Sequence, residues 1–163
     1  MRYLSIDRLT DFEFHDAFLS FISFSDSTLT ASAEHLNIHK DAEQNPYPTD
    51  MEIAQARLTF YDFCINSFNL ESTWKQDTEG KWFISEELCV FTGTQAQQKF
   101  LTELKSGITA YSFKTADDVS HCIDAASSNE PWFEIYFTFS SIAIEWDEYR
   151  KIAWYEENHR NKN

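Results

Sequence analysis

The chain reads as a mainly β domain, an antiparallel sandwich or partly open barrel with one amphipathic helix near 94–106. Three observations predict this. Short runs of alternating apolar and polar residues recur along most of the chain, as strands with one buried face require. Only Thr94 to Ser106 carries a helical stripe, formed by Ala96, Phe100, Leu101 and Leu104. The links between candidate strands are too short for the crossover helices that parallel pairing demands.

Taken in order, residues 3–6 suit a short edge strand. Ala17 to Phe24 is the first strong strand, with Phe18, Ile22 and Phe24 on one face and Leu19 and Phe21 on the other, so both faces are expected to be buried. Ser25-Asp26-Ser27 is a turn, because these side chains bond their own backbone. Thr28 to Ile38 returns as its hairpin partner, with Leu29, Ala31 and Ala33 on one side. Asn45-Pro46-Tyr47-Pro48 marks a surface loop, since proline lacks the ladder donor. Met51 to Phe68 is a third extended region, bent or bulged near Tyr61-Asp62-Phe63. Thr73–Gln76 and Lys81–Ser85 flank Asp77-Thr78-Glu79-Gly80 as a hairpin, with Gly80 free to take positive φ. Leu88 to Thr92 is a further strand.

Thr94 and Gln97 have the spacing of a capping box at the start of the helix, and Gly107 stands where a left-handed residue ends it. Ile108–Phe113 and Val119–Ile123 are shorter strands, and 125–131 is a turn. The cleanest alternation follows. Phe133, Ile135, Phe137 and Phe139 share a face, opposite Trp132, Glu134, Tyr136 and Thr138, and this strand is expected at the centre of a sheet. The apolar phase then slips by one, to Ile142, Ile144 and Trp146, which predicts a turn at Ser140-Ser141 in preference to a bulge. Residues 151–155 suit a last short strand or a helical turn, and 158–163 a polar tail.

All 163 residues are expected in one domain, whose 15 Phe, 7 Tyr and 5 Trp can fill a core. The net charge of −14 repels phosphate backbones and anionic lipid, so neither nucleic acid nor membrane is expected as a partner. Cys64, Cys89 and Cys122 are odd in number and lack a CxxC pair, which argues against a disulfide scaffold or a cysteine zinc site. The opening residues lack the apolar core of a secretion signal, and no apolar run reaches membrane-spanning length, so a reducing cytoplasm is expected. Gly80, Gly93 and Gly107 are isolated, so there is no glycine-rich phosphate loop, and no cofactor is expected.

His35, Asn37, His39 and Asp41 are spaced for one face of an extended segment and form the most metal-like cluster, with Glu43, Asp50 and Glu52 near in sequence. A straight strand would hold the two histidines ~13 Å apart. The simpler reading is a solvated polar rim. His15 and Asp16 are adjacent, and on a strand they point to opposite faces. His121 and Asp124 have no nucleophile beside them in sequence, and Cys122 reads as a small core residue. The acidic pairs Glu86-Glu87, Asp117-Asp118, Asp147-Glu148 and Glu156-Glu157 read first as solvated surface. Such a surface, rimmed by Tyr47, Trp74, Trp82 or Trp154, suits a basic protein partner, because aromatics anchor and charges steer.

Phe14-His15-Asp16-Ala17, a strand turning through Ser25-Asp26-Ser27 into Leu29-Thr30, and the late aromatic strand Trp132–Phe139 together resemble small bacterial proteins of the toxin-immunity kind. The resemblance covers residues 12–38 and 132–146 and omits the Pro46–Pro48 loop and the helix. It implies an acidic protein that neutralises a toxin by binding, and no binding residue is carried over from it. Separately from the resemblance, His15 and Asp16 are candidate partner contacts with the four aromatics. The first expectation is therefore a non-enzymatic binder of a basic protein. The second is a small-molecule-binding sandwich or barrel, and the third a metal-dependent hydrolase using His35, His39 and Asp41.

Overall fold

The structure, a computed structural model, describes residues 1–117 and 119–156. In chain order the strands are β1 (Tyr3–Ile6), β2 (Phe12–Glu13), β3 (Phe18–Ser25), β4 (Thr28–Glu34), β5 (Asn37–Ile38), β6 (Met51–Ile53), β7 (Ala56–Tyr61), β8 (Cys64–Leu70), β9 (Thr73–Gln76), β10 (Trp82–Glu86) and β11 (Cys89–Thr92). Helix α1 (Gly93–Ser106) follows, then β12 (Ile108–Thr115), β13 (His121–Ser127), β14 (Phe133–Thr138), β15 (Ser141–Trp146) and β16 (Tyr149–Ile152). Among the described residues the fold is mainly β and antiparallel, with one long helix, as the alternation predicts.

Ten strands form one sheet in the order β1-β15-β7-β4-β3-β12-β13-β14-β8-β11. Its ends do not meet, so it is not a closed barrel. The join between β3 and β12 is only two residue pairs long, Leu19 with Ile108 and Phe18 with Thr109. There the sheet folds over, and its two five-stranded halves face each other. The Phe60 ring of β7 lies 6.1 Å from that of Phe137 on β14. Two short links cross between the halves at one end. One is Asp62-Phe63, between β7 and β8; the other is Phe139-Ser140, between β14 and β15. They are tied together, for Ser140 donates its backbone N–H to Tyr61 O and its hydroxyl to Asp62. The phase slip at Ser140-Ser141 is thus a corner between layers, and its flanking strands pair with other partners. The bend near Asp62 is its counterpart.

Phe133, Ile135 and Phe137 are fully buried on β14, which is paired on both sides by β13 and β8. It is eighth of ten in the whole sheet and the middle strand of its five-stranded half, as its alternation predicts. Helix α1 packs on β8 and β3 through Ala96, Phe100 and Leu104. A second sheet, β16-β6-β5-β2, joins the core through Phe12 and Tyr149, whose rings meet the buried Trp146.

Several expectations need correction. β3 is not buried on both faces: Phe18 and Ile22 are exposed. A bulge at Ile22 shifts the register, so Phe24 lies opposite Leu29 on the inner side. The Thr28–Ile38 strand breaks at His35, which has φ +59, and β5 belongs to the small sheet. The Met51–Phe68 region is three strands in two sheets. The Thr94–Gln97 capping box does not form; the chain turns into the helix through Gly93 at φ +56 with no side-chain cap. Strand β13 runs on to Ser127, through the expected turn. After β16 the chain takes a helical turn at residues 154–156, so both alternatives offered for that segment occur. Asp118, Glu157 and the 158–163 tail lie outside the described residues. No helix among the described residues is long and apolar enough to cross a membrane.

Candidate functional site

The histidines do not gather. His35 Nδ1 lies 3.2 Å from Glu52 Oε1, and His39 Nδ1 lies 3.0 Å from Asp50 Oδ2. Each imidazole has its own carboxylate, Glu52 on β6 and Asp50 just before it, and Asp41 is exposed on the turn that follows His39. Asp50 and Glu52 are buried. Burial pushes the Asp50 carboxyl up, but bonds from His39, the Lys40 N–H and the Tyr155 hydroxyl outweigh it, and the group ends below its ordinary value. Glu52 also holds Arg150 and Lys151. These pairs tie the strands of the small sheet and their flanks to one another and satisfy buried charge. His15 Nδ1 sits 3.1 Å from Asp16, and its ring is 5.9 Å from Trp154. Tyr47 packs edge-on against Tyr149. Its loop is fixed by the buried Asn45, whose amide donates to the carbonyls of Ile38, His39 and Thr49 and accepts from the Tyr47 N–H.

Among the described residues, the one group of three acidic, cysteine or histidine side chains with ligating atoms within 4.8 Å of one another is Cys122, Asp124 and Glu134. Cross-strand register places it, since Asp124 lies opposite Ser112 on one side and Glu134 on the other. The group is internally satisfied. Ser112 and Lys114 both donate to Asp124 Oδ2. Burial first, and then the Asp124 charge, push the Cys122 thiol up to about 11. A thiol held protonated is neither a nucleophile nor a thiolate ligand at neutral pH. Cys122 is buried, but beneath Asp124, Glu134 and Tyr136 on the face of β13 opposite the core-facing Ile123, and not in the hydrophobic core.

His121 lines a cleft of about 400 Å³ at the corner end of the sandwich, with Asp7, Thr115 and Phe139. Its ring stacks on Phe139 at 4.3 Å, and burial lowers its proton affinity. The interior void between Leu58, Phe60, Phe100 and Phe137 measures about 10 Å³. That is no more than one water's room, so the core itself has no space for a ligand.

The largest departure from ordinary burial is the β9–β10 hairpin. It extends the β8–β11 ladder outward: Thr73 opposite Glu86 continues the register of Leu70 opposite Cys89. Trp74 faces Ile84 and Gln76 faces Trp82, so Trp74, Trp82 and Ile84 share one face. They are 56%, 61% and 45% exposed. Glu71, Asp77, Glu79, Glu86 and Glu87 lie along this arm against Lys75 and Lys81. Trp74 and Trp82 are thus brought together. His15, Asp16 and Trp154 meet elsewhere, and Tyr47 belongs to the loop. Ile84, Leu88 and Val90 were missed as surface residues; their alternation predicts a strand but not that no layer covers it.

No family model, no curated protein and no solved structure matches the chain.

Proposed function

We propose that the chain is a non-catalytic binding protein that takes a basic protein partner on its tryptophan arm. The observation that carries this reading is the solvent-exposed face of Trp74, Trp82 and Ile84, set among five acids and two lysines. An uncovered apolar face of this kind is rare on a chain that has no partner, and tryptophan is the residue most enriched where binding energy concentrates. The acids steer a cationic surface toward it. An immunity-type protein, blocking a basic toxin by occupancy, is the particular form of this reading that the sequence resemblance suggests.

The test begins with cross-linking in a low-salt lysate of the source cells and identification of the captured protein. That protein is then purified and titrated against the wild type and the Trp74→Ser/Trp82→Ser double variant. A basic partner, weakened by salt and by about 30-fold or more in the double variant, is expected. An acidic partner, or one indifferent to both tryptophans, overturns the proposal.

A further inference from the structure

The way in which such a partner docks follows from the edge of the sheet, and it rests on the binding reading above. Among the described residues, β11 ends the ten-stranded order and pairs only with β8, while β10 pairs only with β9. The other edges of β10 and β11 therefore make a nearly continuous free border from Trp82 to Thr92. Natural proteins guard such borders with lysine, proline or a cover. This one carries neither lysine, arginine nor proline; its charges are Glu86 and Glu87.

The border also has a place for incoming side chains. Phe91 lies opposite Phe68, which is fully buried, so Phe91 is on the inner side of the sheet. With Gln95, Gln98, Lys99, Thr102 and Glu103 of α1 it walls an open groove of about 380 Å³, in which Lys99 Nζ stands 5.4 Å from the Phe91 ring and is paired with Glu130 at 3.1 Å. The outer side at Val90 is exposed. An added strand would alternate, one set of side chains facing the groove and the other facing solvent.

The opposite border is different. Just beyond β1, Arg8 is bound to Asp11 at 2.8 Å and Glu43 at 2.8 Å, so the acids at that border are already engaged by a cation. A second copy of this chain is disfavoured at β11 as well, because it brings another net charge of −14 and its own Glu86 and Glu87 to the same border.

We propose that an extended basic segment of the partner adds as a strand along β10–β11, its apolar side chains entering the Phe91 groove and its cationic ones meeting Glu86 and Glu87. The probe is a short synthetic peptide of alternating valine and lysine, titrated against the intact chain. Two controls accompany it. One is the same peptide N-methylated at alternate residues, which keeps charge and side chains but cannot pair; the other alternates valine with glutamate. The parent peptide is expected to bind at least ~10-fold tighter than either control, since two or more backbone hydrogen bonds or the charge match are lost. Amide exchange at Val90 and its neighbours is expected to slow in the complex.

Equal binding of the parent and N-methylated peptides overturns strand addition and leaves a basic partner on the arm. Equal binding of the glutamate peptide overturns the charge argument. Binding of neither lysine peptide removes the partner reading itself. A dimer in sedimentation of the chain alone, dissociated by Val90→Lys, would assign the border to a second copy and refute the proposal.

Discussion

Gly107→Ala tests the join between the helix and the folded-over sheet. α1 ends at Ser106 and β12 begins at Ile108, so one residue must redirect the chain. Gly107 does so at φ +86 and ψ 134. A side chain there costs ~1–3 kcal/mol of backbone strain. A Cβ would also stand 2.3 Å from Phe18 Cζ and 2.9 Å from its Cε2. Phe18 is 37% exposed, so its ring can swing outward at the loss of its buried part, ~1–2 kcal/mol. Against this, alanine removes unfolded-state freedom and returns ~0.4–1 kcal/mol. The net is about 1.5–4 kcal/mol, a large share of the ~5–15 kcal/mol that holds a typical domain. Urea unfolding of the wild type, Gly107→Ala, Phe18→Ala and the double variant measures it. The glycine substitution is expected to cost ~1–2 kcal/mol less when Phe18 is already alanine, because the steric part has gone. A neutral Gly107→Ala, or a cost unchanged in the Phe18→Ala background, refutes this account of the join.

Two further outcomes follow from burial. Cys64 and Cys89 are exposed while Cys122 is buried with its thiol pushed up to about 11, so a thiol reagent at neutral pH should modify two cysteines in the native chain and the third only on unfolding; fast reaction of all three would contradict the packing of β13. His121 has its proton affinity lowered by burial against the opposing pull of Asp117, so the unfolded chain takes up that proton first. Stability should therefore fall as pH drops below the ordinary imidazole value of 6.5 toward the folded one, and His121→Phe should flatten that window. An identical slope in both proteins would show that His121 is not the source.

Strand existence was legible because period-two alternation depends on burial of one face, and one-sided burial dominates in β4, β7 and β14. The breaks at Ser25-Asp26-Ser27 and near Asp62 were legible too, but the one at His35 was not. The chain has three glycines, and it makes many of its sharp reversals with other residues at positive φ: Asp7, Asp16, Asp26, Ser27, His35 and Asp62. Aspartate tolerates that region through local hydrogen bonds, yet in the sequence it looks like any surface acid. His35 therefore read as a candidate ligand within a continuous strand, when it is the point where the strand leaves one sheet for another. Likewise the sequence showed Trp74 and Trp82 to be large aromatics in a hairpin. Their exposure depends on a tertiary fact, that nothing packs over the arm.

Many of the 27 acids have structural work. Asp7, Asp16, Asp26 and Asp62 sit at positive φ. Asp77 and Asp117 close turns by accepting backbone N–H groups, two each. Asp50, Glu52 and Glu103 are buried and bonded. A net charge of −14 in a glycine-poor chain thus has a conformational origin in part, and by itself it points to no partner. The acids of the arm are another matter. Of these only Asp77 is needed for the turn, whereas Glu71, Glu79 and Glu87 are exposed along a ribbon that buries no core residue. Neither core packing nor turn geometry requires two tryptophans and an isoleucine on its open face, and a two-stranded ribbon is only marginally stable by itself. That expense has a physical reason if the face is covered in a complex, which is why the functional argument rests on the arm and its border and not on the charge of the whole chain.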